Sequence, residues 1–265
     1  MSVTPTPGSV PSTGVAPCLQ LEHVSRHFGG LKAVDDVTFS VQPGSRHAVI
    51  GPNGAGKTTL FNVISGELPP TSGTIALNGA NISSLKPHRR AALGISRTFQ
   101  ITRLFPELTV AENALLACAA LDRRKFAMFR TLSSYPDFAE RAARLLDLFG
   151  LTSLAHEQAR RVSYGARRRL DVALAMAGRP RLLLLDEPMA GLSAPERTAM
   201  RDLLEQLDPS VAVLLIEHDM DVAFAFAARV TVLHQGKVLA DGTRAEVSAN
   251  SLVQQAYLGA VGSRQ

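Results

Sequence analysis

The sequence predicts an α/β fold in which helices cover a largely parallel sheet and a helical subdomain is inserted into the chain. From Leu19 onward, short β-branched or leucine runs alternate with helical patterns, which is typical of such a sheet. A glycine-rich loop stands between one of these strands and the helix that follows it. Between about 86 and 162 the pattern is helical and predicts no strand. Together these observations indicate one α/β core with a helical insertion.

A strand at 48–50 leads into the glycine loop, and the helix after the loop has an apolar side that includes Leu60 and Phe61. Further strands are predicted at 74–77, 182–185, 211–216 and 230–233. The first of these ends at Asn78-Gly79, a pair that favours a tight turn. Strand, loop and helix thus follow in the order that a phosphate-binding site requires.

Helical spacing is clearest in three segments. In the insertion, Gly150 is placed to end a helix whose apolar face consists of Phe138, Ala142, Leu145, Leu146 and Phe149. A second helix, further along the chain, carries Leu170 and Ala173 on its apolar side. The third begins at Ser193, and Glu196 three residues later completes a capping-box pattern.

The composition argues against a nucleic-acid-binding, a disulfide-stabilised and a membrane-spanning protein. The 265 residues carry a formal net charge of +5, but the basic residues are scattered and aromatic residues amount to 5%, so no nucleic-acid partner is expected. Two cysteines, Cys18 and Cys118, argue against a disulfide framework and favour a reducing compartment. No apolar run approaches the roughly 20 residues of a membrane span. Residues 1–18 are rich in Pro, Ser, Thr and Gly and are predicted to be a disordered tail.

A nucleotide site is predicted at the glycine loop, where GPNGAGKT fits the phosphate-loop pattern. The glycines let backbone N–H groups surround phosphate oxygens, and the helix N-terminus adds a positive partial charge. We predict a nucleotide and Mg²⁺ as cofactors, with Lys57 on the β- and γ-phosphates and Thr58 on the metal ion, although the loop alone does not separate ATPases, GTPases and kinases. The residues predicted to bind the nucleotide, which is ATP if the family resemblance described below holds, are Gly51, Pro52, Asn53, Gly54, Ala55, Gly56, Lys57, Thr58 and Thr59.

Two carboxylates end the predicted strand at 182–185. Asp186 is predicted to hold Mg²⁺, directly or through water, and Glu187 to activate the attacking water. Adjacent strand residues point to opposite faces, so the two acids can take different roles. Taken alone they could equally begin a solvated loop, but the phosphate loop upstream favours the catalytic interpretation.

The sequence from Leu19 to Gly259 resembles the ATP-binding cassette (ABC) family, because it contains further motifs of that family in the same order. Gln100 matches the Q-loop glutamine, the stretch from Val162 to Gly165 matches the signature, and His218 matches the switch histidine. Phe28 lies where the family stacks an aromatic ring on adenine. As lone residues these would be interpreted as a surface amide, a capping or buried histidine and a core phenylalanine. Their common order favours the family.

The resemblance implies a P-loop NTPase (RecA-like) ABC nucleotide-binding domain with an inserted α-helical subdomain and an N-terminal antiparallel β region. The ATPase domain would cover 19–265, with its core at about 19–86 and 164–240, the helical subdomain at about 87–163 and a C-terminal helical segment at about 241–260. Catalytic roles are implied for Glu187, His218 and Gln100, and Gln100 would also contact Mg²⁺. The signature residues that would contact ATP on an opposite subunit are Ser163, Tyr164 and Gly165.

Within the family, the sequence resembles the LivG-type ATPase subunits of branched-chain amino-acid importers, through stretches that include FGGLKAVDDV, SRTFQITRLFPELTVAEN and AYLG. This implies a second ABC ATPase, LivF-type or identical, and permease subunits that dock near Gln100, Leu104 and Phe105. It also implies a periplasmic or extracellular solute-binding protein and a location at the cytoplasmic face of the bacterial inner membrane. The sequence departs from the family pattern at Ala166, Ser193 and Ser45-Arg46.

Two rival functions stay open on the sequence. One is the ATPase of an exporter of the lipopolysaccharide-export type, and the other is a soluble cassette protein that acts on DNA or ribosomes. The RTFQ and RLF stretches favour import, and neither a long coiled coil nor a second cassette supports the soluble class. The solute would contact only the permease and the binding protein, so branched-chain amino acids lead while urea, amides and other small polar solutes stay open.

Overall fold

The computed structural model describes residues 16–98, 104–120, 122 and 135–261, the last four by their backbone only. The strands in these ranges are β1 (Leu19–Phe28), β2 (Leu31–Val41), β3 (Arg46–Ile50), β4 (Ser72–Leu77), β5 (Ala80–Asn81), β6 (Ile95–Arg97), β7 (Leu182–Asp186), β8 (Ala212–Ile216), β9 (Arg229–His234) and β10 (Lys237–Thr243). The α-helices are α1 (Lys57–Ser65), α2 (Pro87–Ala92), α3 (Val110–Ala119), α4 (Pro136–Leu148), α5 (Tyr164–Met176), α6 (Ala194–Glu205), α7 (Met220–Phe226), α8 (Arg244–Ala249) and α9 (Ser251–Val261). Most of the predicted N-terminal tail lies outside the described residues.

The larger sheet has six strands in the order β10-β9-β3-β8-β7-β6. Its strands from β9 to β6 pair in parallel, and β10 closes the edge antiparallel to β9. Every residue of β7 and β8 is buried, which explains why both strands are continuous leucine and valine runs rather than alternating patterns. The predicted α/β core with a largely parallel sheet is confirmed.

A second, antiparallel sheet has the order β2-β1-β4-β5. Its inner side chains, among them Leu21 and Ile75, share one apolar cluster with Leu60 and Phe61 of α1. The turn from β4 to β5 places Asn78 at φ 47° and Gly79 at φ 79°, as a tight hairpin turn requires. This sheet is the N-terminal antiparallel region expected from the family resemblance, and it packs against the helix that follows the glycine loop.

Two predicted helices have the faces and ends that the sequence indicates. Phe138 and Leu146 of α4 are buried, and Gly150 follows the helix at φ 61°, the left-handed conformation in which glycine is favoured. At the start of α6, the Glu196 carboxylate accepts hydrogen bonds from the backbone N–H and the hydroxyl of Ser193, at 2.9 and 2.7 Å. No helix in the described ranges is long and apolar enough to cross a bilayer.

One element contradicts the prediction that 86–162 contains no strand. β6 lies inside that segment and pairs in parallel with β7, from Ile95 opposite Leu182 to Arg97 opposite Leu184. With only three residues, of which Ser96 and Arg97 are polar, β6 has no hydrophobic pattern that would distinguish it from a loop. The strand matters for the site because it carries Arg97 to the carboxyl end of β7.

Candidate functional site

The glycine loop connects the buried strand β3 to α1 and leaves the start of that helix open. Gly56 precedes α1 at φ 101°, and the helix N-terminus has no cap from a side-chain group. A Cβ atom at Gly56 would lie 2.2 Å from the carbonyl oxygen of Ala33, so this position requires glycine. The uncapped N–H groups of the first turn and the helix dipole together form an anion-binding site.

Lys57 points back into this loop. Its ammonium donates hydrogen bonds to the carbonyl oxygens of Gly51, at 2.6 Å, and Pro52, at 3.1 Å. Burial lowers the pKa of Lys57, and the carboxylates of Glu187, Asp186 and Glu217 act in the opposite direction. A cation is therefore held beside the open amides, in the arrangement that binds a polyphosphate group.

A cleft of about 550 Å³ lies over the loop and the start of α1. Predicted residues that line it are Asn53, Gly54, Ala55, Gly56, Lys57, Thr58, Thr59 and Glu187. The loop alone did not predict the remaining lining residues, which are Leu31, Lys32, Ala33 and Gln235. Phe28 is not among the lining residues. Phe28 is 43% exposed and lies on the same hairpin as Leu31. The guanidinium of Arg26 lies over its ring, 4.5 Å from the ring centroid.

Asp186 ends β7 as a buried carboxylate in an ion pair. The Arg97 guanidinium lies 3.0 Å from Oδ2 of Asp186. The backbone N–H of Asp186 donates to the hydroxyl of Thr98 at 3.2 Å. Arg97 also donates to the side-chain oxygen of Asn62 on α1, at 2.6 Å. Within the RTFQ stretch only Gln100 was predicted to have a role, so Arg97 and Thr98 were missed. Gln100 itself lies outside the described residues.

Glu187 follows Asp186 in a left-handed backbone conformation, with φ 47°. Its backbone N–H donates to the carbonyl of Ile216 at 3.1 Å, which ties it to the neighbouring strand β8. Nδ1 of His218 lies 3.8 Å from Oε1 of Glu187, and the imidazole is 58% exposed. The structure thus brings the predicted base and the predicted switch histidine together at the edge of the cleft.

Glu217 is a buried acid that was not predicted from the sequence. Its Oε2 lies 4.0 Å from Nδ1 of His218, and its Oε1 accepts a hydrogen bond from the backbone N–H of Met189 at 3.4 Å. Burial raises the pKa of Glu217 to about 7, helped by the nearby carboxylates of Glu187 and Asp219. Its position in Ile216-Glu217-His218 was the available signal, because it directly precedes the predicted switch histidine.

The signature residues lie away from this cleft, at the start of α5. Ser163 caps the helix by accepting a hydrogen bond from the backbone N–H of Ala166 at 3.2 Å. Tyr164 is exposed and its hydroxyl donates to the carbonyl of Ala190 at 3.1 Å. Because Ser163 and Tyr164 face solvent and do not line the protein's own cleft, they are available to a second molecule.

Leu104 and Phe105 lie directly after the segment that contains Gln100. Phe105 is 59% exposed, while Leu104 packs partly buried against the core. The backbone of Phe105 is held on both sides by Asn113 of α3: its N–H donates to Oδ1 at 2.9 Å and its carbonyl accepts from Nδ2 at 3.1 Å. At the predicted permease contact the structure therefore has an exposed aromatic ring on a backbone that is held by hydrogen bonds.

Comparisons with known proteins agree with this arrangement. Residues 34–190 match the family described as ABC transporter, and residues 237–262 match the family described as branched-chain amino acid ATP-binding cassette transporter. The chain is 41% identical to the high-affinity branched-chain amino acid transport ATP-binding protein BraF of Pseudomonas aeruginosa, with 92% of this chain and 98% of BraF covered. It is 40% identical to the corresponding protein LivG of Escherichia coli K12, with the same coverage.

A similar solved structure is the ADP conformation of an ATP-binding cassette of an ABC transporter. It superposes with a TM-score of 0.81 at 27% identity and covers 92% of this chain and 99% of that chain. The fold, the loop with its lysine and the two family matches lead to the same assignment. The chain belongs to the ABC transporter ATP-binding family, whose members are the nucleotide-binding, ATP-hydrolysing subunits of transporters, and it is of the LivG and BraF type.

Proposed function

We propose that this protein is the ATPase subunit of an importer that takes up branched-chain amino acids or a similar small polar solute. The observation that carries the proposal is the match of 237–262 to the family of branched-chain amino acid cassettes, together with relatives that are named for branched-chain amino acid transport. Those names favour import over the lipopolysaccharide-export alternative. The protein would act at the cytoplasmic face of the inner membrane, held there by permease subunits.

We assign the cleft over α1 to ATP. The open amides of the glycine loop and the ammonium of Lys57 are suited to the phosphates, because both supply positive charge in a partly desolvated site. Mg²⁺ would be held by the hydroxyl of Thr58 and the carboxylate of Asp186, with Gln100 as a further ligand. The metal ion would neutralise charge on the phosphate oxygens. A buried carboxylate and an exposed hydroxyl at the loop are oxygen donors of the kind that Mg²⁺ prefers.

Glu187 would accept a proton from the attacking water, and His218 would contact the γ-phosphate. This assignment is supported by the position of Glu187 on the cleft wall and by its 3.8 Å separation from His218. Asp186 is already engaged by Arg97, which leaves Glu187 as the carboxylate that is accessible to water. The two acids would thus take the different roles predicted for them.

The complete site would need a second ATPase subunit. This chain has one phosphate loop and one signature segment, and the solvent-facing residues Ser163 and Tyr164 lie outside its own cleft. A second cassette, LivF-type or identical, would present its own signature to the ATP bound at Lys57. The exposed ring of Phe105 would contact a permease subunit, and a solute-binding protein would deliver the solute to that permease.

The test is to purify the tagged full-length protein from detergent-solubilised membranes, identify the subunits that co-purify, and measure uptake in proteoliposomes made from that complex. We expect permease subunits, a second ATPase, and ATP-dependent uptake of leucine when a co-encoded binding protein is supplied. A complex that hydrolyses ATP but takes up urea or amides would change the solute only. Recovery with an export permease, or with DNA or ribosomes, would contradict the importer function.

A further inference from the structure

Arg168 on α5 is a buried cation that the proposed mechanism does not use. Its side chain is 2% exposed, although it lies only five residues from Ser163. Its guanidinium donates to the carbonyl oxygen of Asp186 at 2.7 Å, of Glu187 at 2.6 Å and of Pro188 at 3.2 Å. Three consecutive backbone carbonyls at the end of β7 are therefore held by one side chain from the signature helix.

The charge of Arg168 is partly balanced within its own helix. The carboxylate of Asp171, one turn further along α5, lies 3.5 Å from the guanidinium and is itself largely buried. This ion pair orients the planar guanidinium toward the end of β7, where it meets the carbonyls in a fork geometry that lysine lacks. Breaking a buried arrangement of this kind would leave donors and acceptors without partners.

The segment that Arg168 holds includes a residue in an unfavourable conformation. Glu187 has φ 47°, a left-handed backbone conformation that residues other than glycine rarely adopt. Three hydrogen bonds fix its peptide groups: its N–H donates to Ile216, and its carbonyl accepts from the backbone N–H of Ala190 at 3.1 Å and from Arg168 at 2.6 Å. Because the shorter of the two bonds to the carbonyl comes from α5, the direction in which the Glu187 side chain leaves the backbone depends in part on where that helix lies.

Two functional parts of the protein are thereby joined through one residue. The N-terminus of α5 carries the signature segment at Ser163 to Gly165, which is proposed to contact nucleotide on the opposite subunit. The same helix, through Arg168, holds the backbone of the proposed base in this protein's own cleft. A shift of α5 on contact with the opposite nucleotide would therefore be transmitted directly to Glu187.

We propose that Arg168 is a positioning residue for ATP hydrolysis, which couples the signature helix of this protein to the orientation of its Glu187. This inference rests on the proposed role of Glu187 as the base. Arg168 is buried and is not among the residues that line the cleft, so its loss should lower kcat far more than it changes nucleotide affinity. A displacement of about 1 Å at a catalytic group can cost on the order of 100-fold in rate.

The experiment measures ATP hydrolysis and affinity for a fluorescent ATP analogue on the purified full-length protein and on its complex with the permease. Arg168→Gln should lower kcat at least about tenfold with nucleotide affinity changed less than about threefold. Arg168→Lys keeps the charge but reaches fewer carbonyls, so its kcat should lie between those of the unaltered protein and Arg168→Gln. The matched control is Arg169→Gln, because Arg169 is on the same helix and donates to the carbonyls of Phe149 and Gly150, both at 3.2 Å.

Turnover of Arg168→Gln within about twofold of Arg169→Gln would overturn the proposal. So would a parallel loss of turnover, nucleotide affinity and thermal stability, since that pattern marks a merely structural role. If Arg168→Gln does not fold, the same comparison of kcat with affinity is decided on Arg168→Lys. Glu187→Gln is measured alongside: normal turnover in that variant would refute the assignment of the base, whatever the Arg168 variants show.

Discussion

The guanidinium of Arg97 on β6 lies 3.0 Å from the carboxylate of Asp186 on β7, and both side chains are almost fully buried. Arg97→Met should remove the compensating charge and leave a buried carboxylate unpaired. We expect the free energy of unfolding to fall by about 3 kcal/mol, as measured by urea denaturation of the nucleotide-free protein. Added Mg²⁺ and ATP should reduce the deficit, because the metal ion would supply positive charge beside Asp186.

The control for Arg97→Met is Arg144→Ala. Arg144 pairs with Glu140 across one turn of α4, but both side chains are about two-thirds exposed, so this loss should cost no more than about 0.5 kcal/mol. Equal destabilisation by the two changes would show that burial of the Arg97 pair does not contribute to stability in this way.

Glu187→Gln should keep nucleotide binding and lose hydrolysis. The amide is nearly isosteric with the carboxylate but cannot accept a proton from water, so turnover should fall by about 100-fold or more. The bound ATP should then stabilise a closed dimer, which size-exclusion chromatography with ATP would detect. Glu205→Gln, at an exposed position on α6, serves as the control and should hydrolyse ATP normally.

Gly165→Ala tests the contact between the signature helix and the start of α6. A Cβ atom at Gly165 would lie 2.2 Å from Oε1 of Glu196, so the methyl group should displace the carboxylate that caps α6 through Ser193. We expect a loss of about 1 kcal/mol in the free energy of unfolding, measured in urea. With Glu196→Ala already present, the same change should be neutral or slightly stabilising, because alanine favours a helix over glycine. Additive effects of the two substitutions would contradict the proposed contact.

The stability of the protein should depend on the protonation of His47. This imidazole is buried, with Nε2 at 2.7 Å from the hydroxyl of Thr231, and burial lowers its pKa from 6.5 to about 4. Below pH 6.5 the unfolded protein therefore binds a proton that the folded protein does not, so folding stability is lost as the pH falls toward 4. Between pH 7 and pH 5 this loss amounts to about 2 kcal/mol.

The measurement compares urea midpoints at pH 7 and pH 5 for the unaltered protein and for His47→Gln. His47→Gln should shift the stability difference between pH 7 and pH 5 by about 2 kcal/mol in favour of pH 5. His156→Gln, at an exposed position, should leave that difference unchanged. Glu217 acts with the opposite sign, since its raised pKa of about 7 means that stability from its protonated form is lost as the pH rises from about 4.5 to 7. An unchanged pH dependence in His47→Gln would contradict this role of the buried imidazole.

The elements that the sequence predicted correctly have strong local signals. β7 and β8 are long leucine and valine runs, α4 has a single apolar face ended by Gly150, and the phosphate loop has a spacing that few other structures require. The antiparallel region of β1, β2 and β4 was expected only from the family resemblance, because its pairing depends on contacts between distant segments. β10, an edge strand of partly exposed residues, was not predicted as a strand.

The parts of the site that sequence reasoning missed depend on tertiary structure. Arg97 and Arg168 look like ordinary charged residues in the sequence, and only the packing of β6 and α5 against β7 buries them beside Asp186 and Glu187. Glu217 is likewise distinguished by its burial rather than by its residue type. Such residues contact the predicted site residues through backbone carbonyls and ion pairs, and these partners have no fixed spacing in sequence.

Lys57 has a consequence for the kinetics of ligand capture. Its ammonium donates to the carbonyls of Gly51 and Pro52, so the loop's own backbone holds the lysine in place. When a triphosphate binds, the ammonium would exchange these two carbonyl partners for phosphate oxygens, and the loop would need little further ordering. The entropic penalty of nucleotide binding should accordingly be small. Fast and reversible binding suits an ATPase that must bind a new ATP in every catalytic cycle.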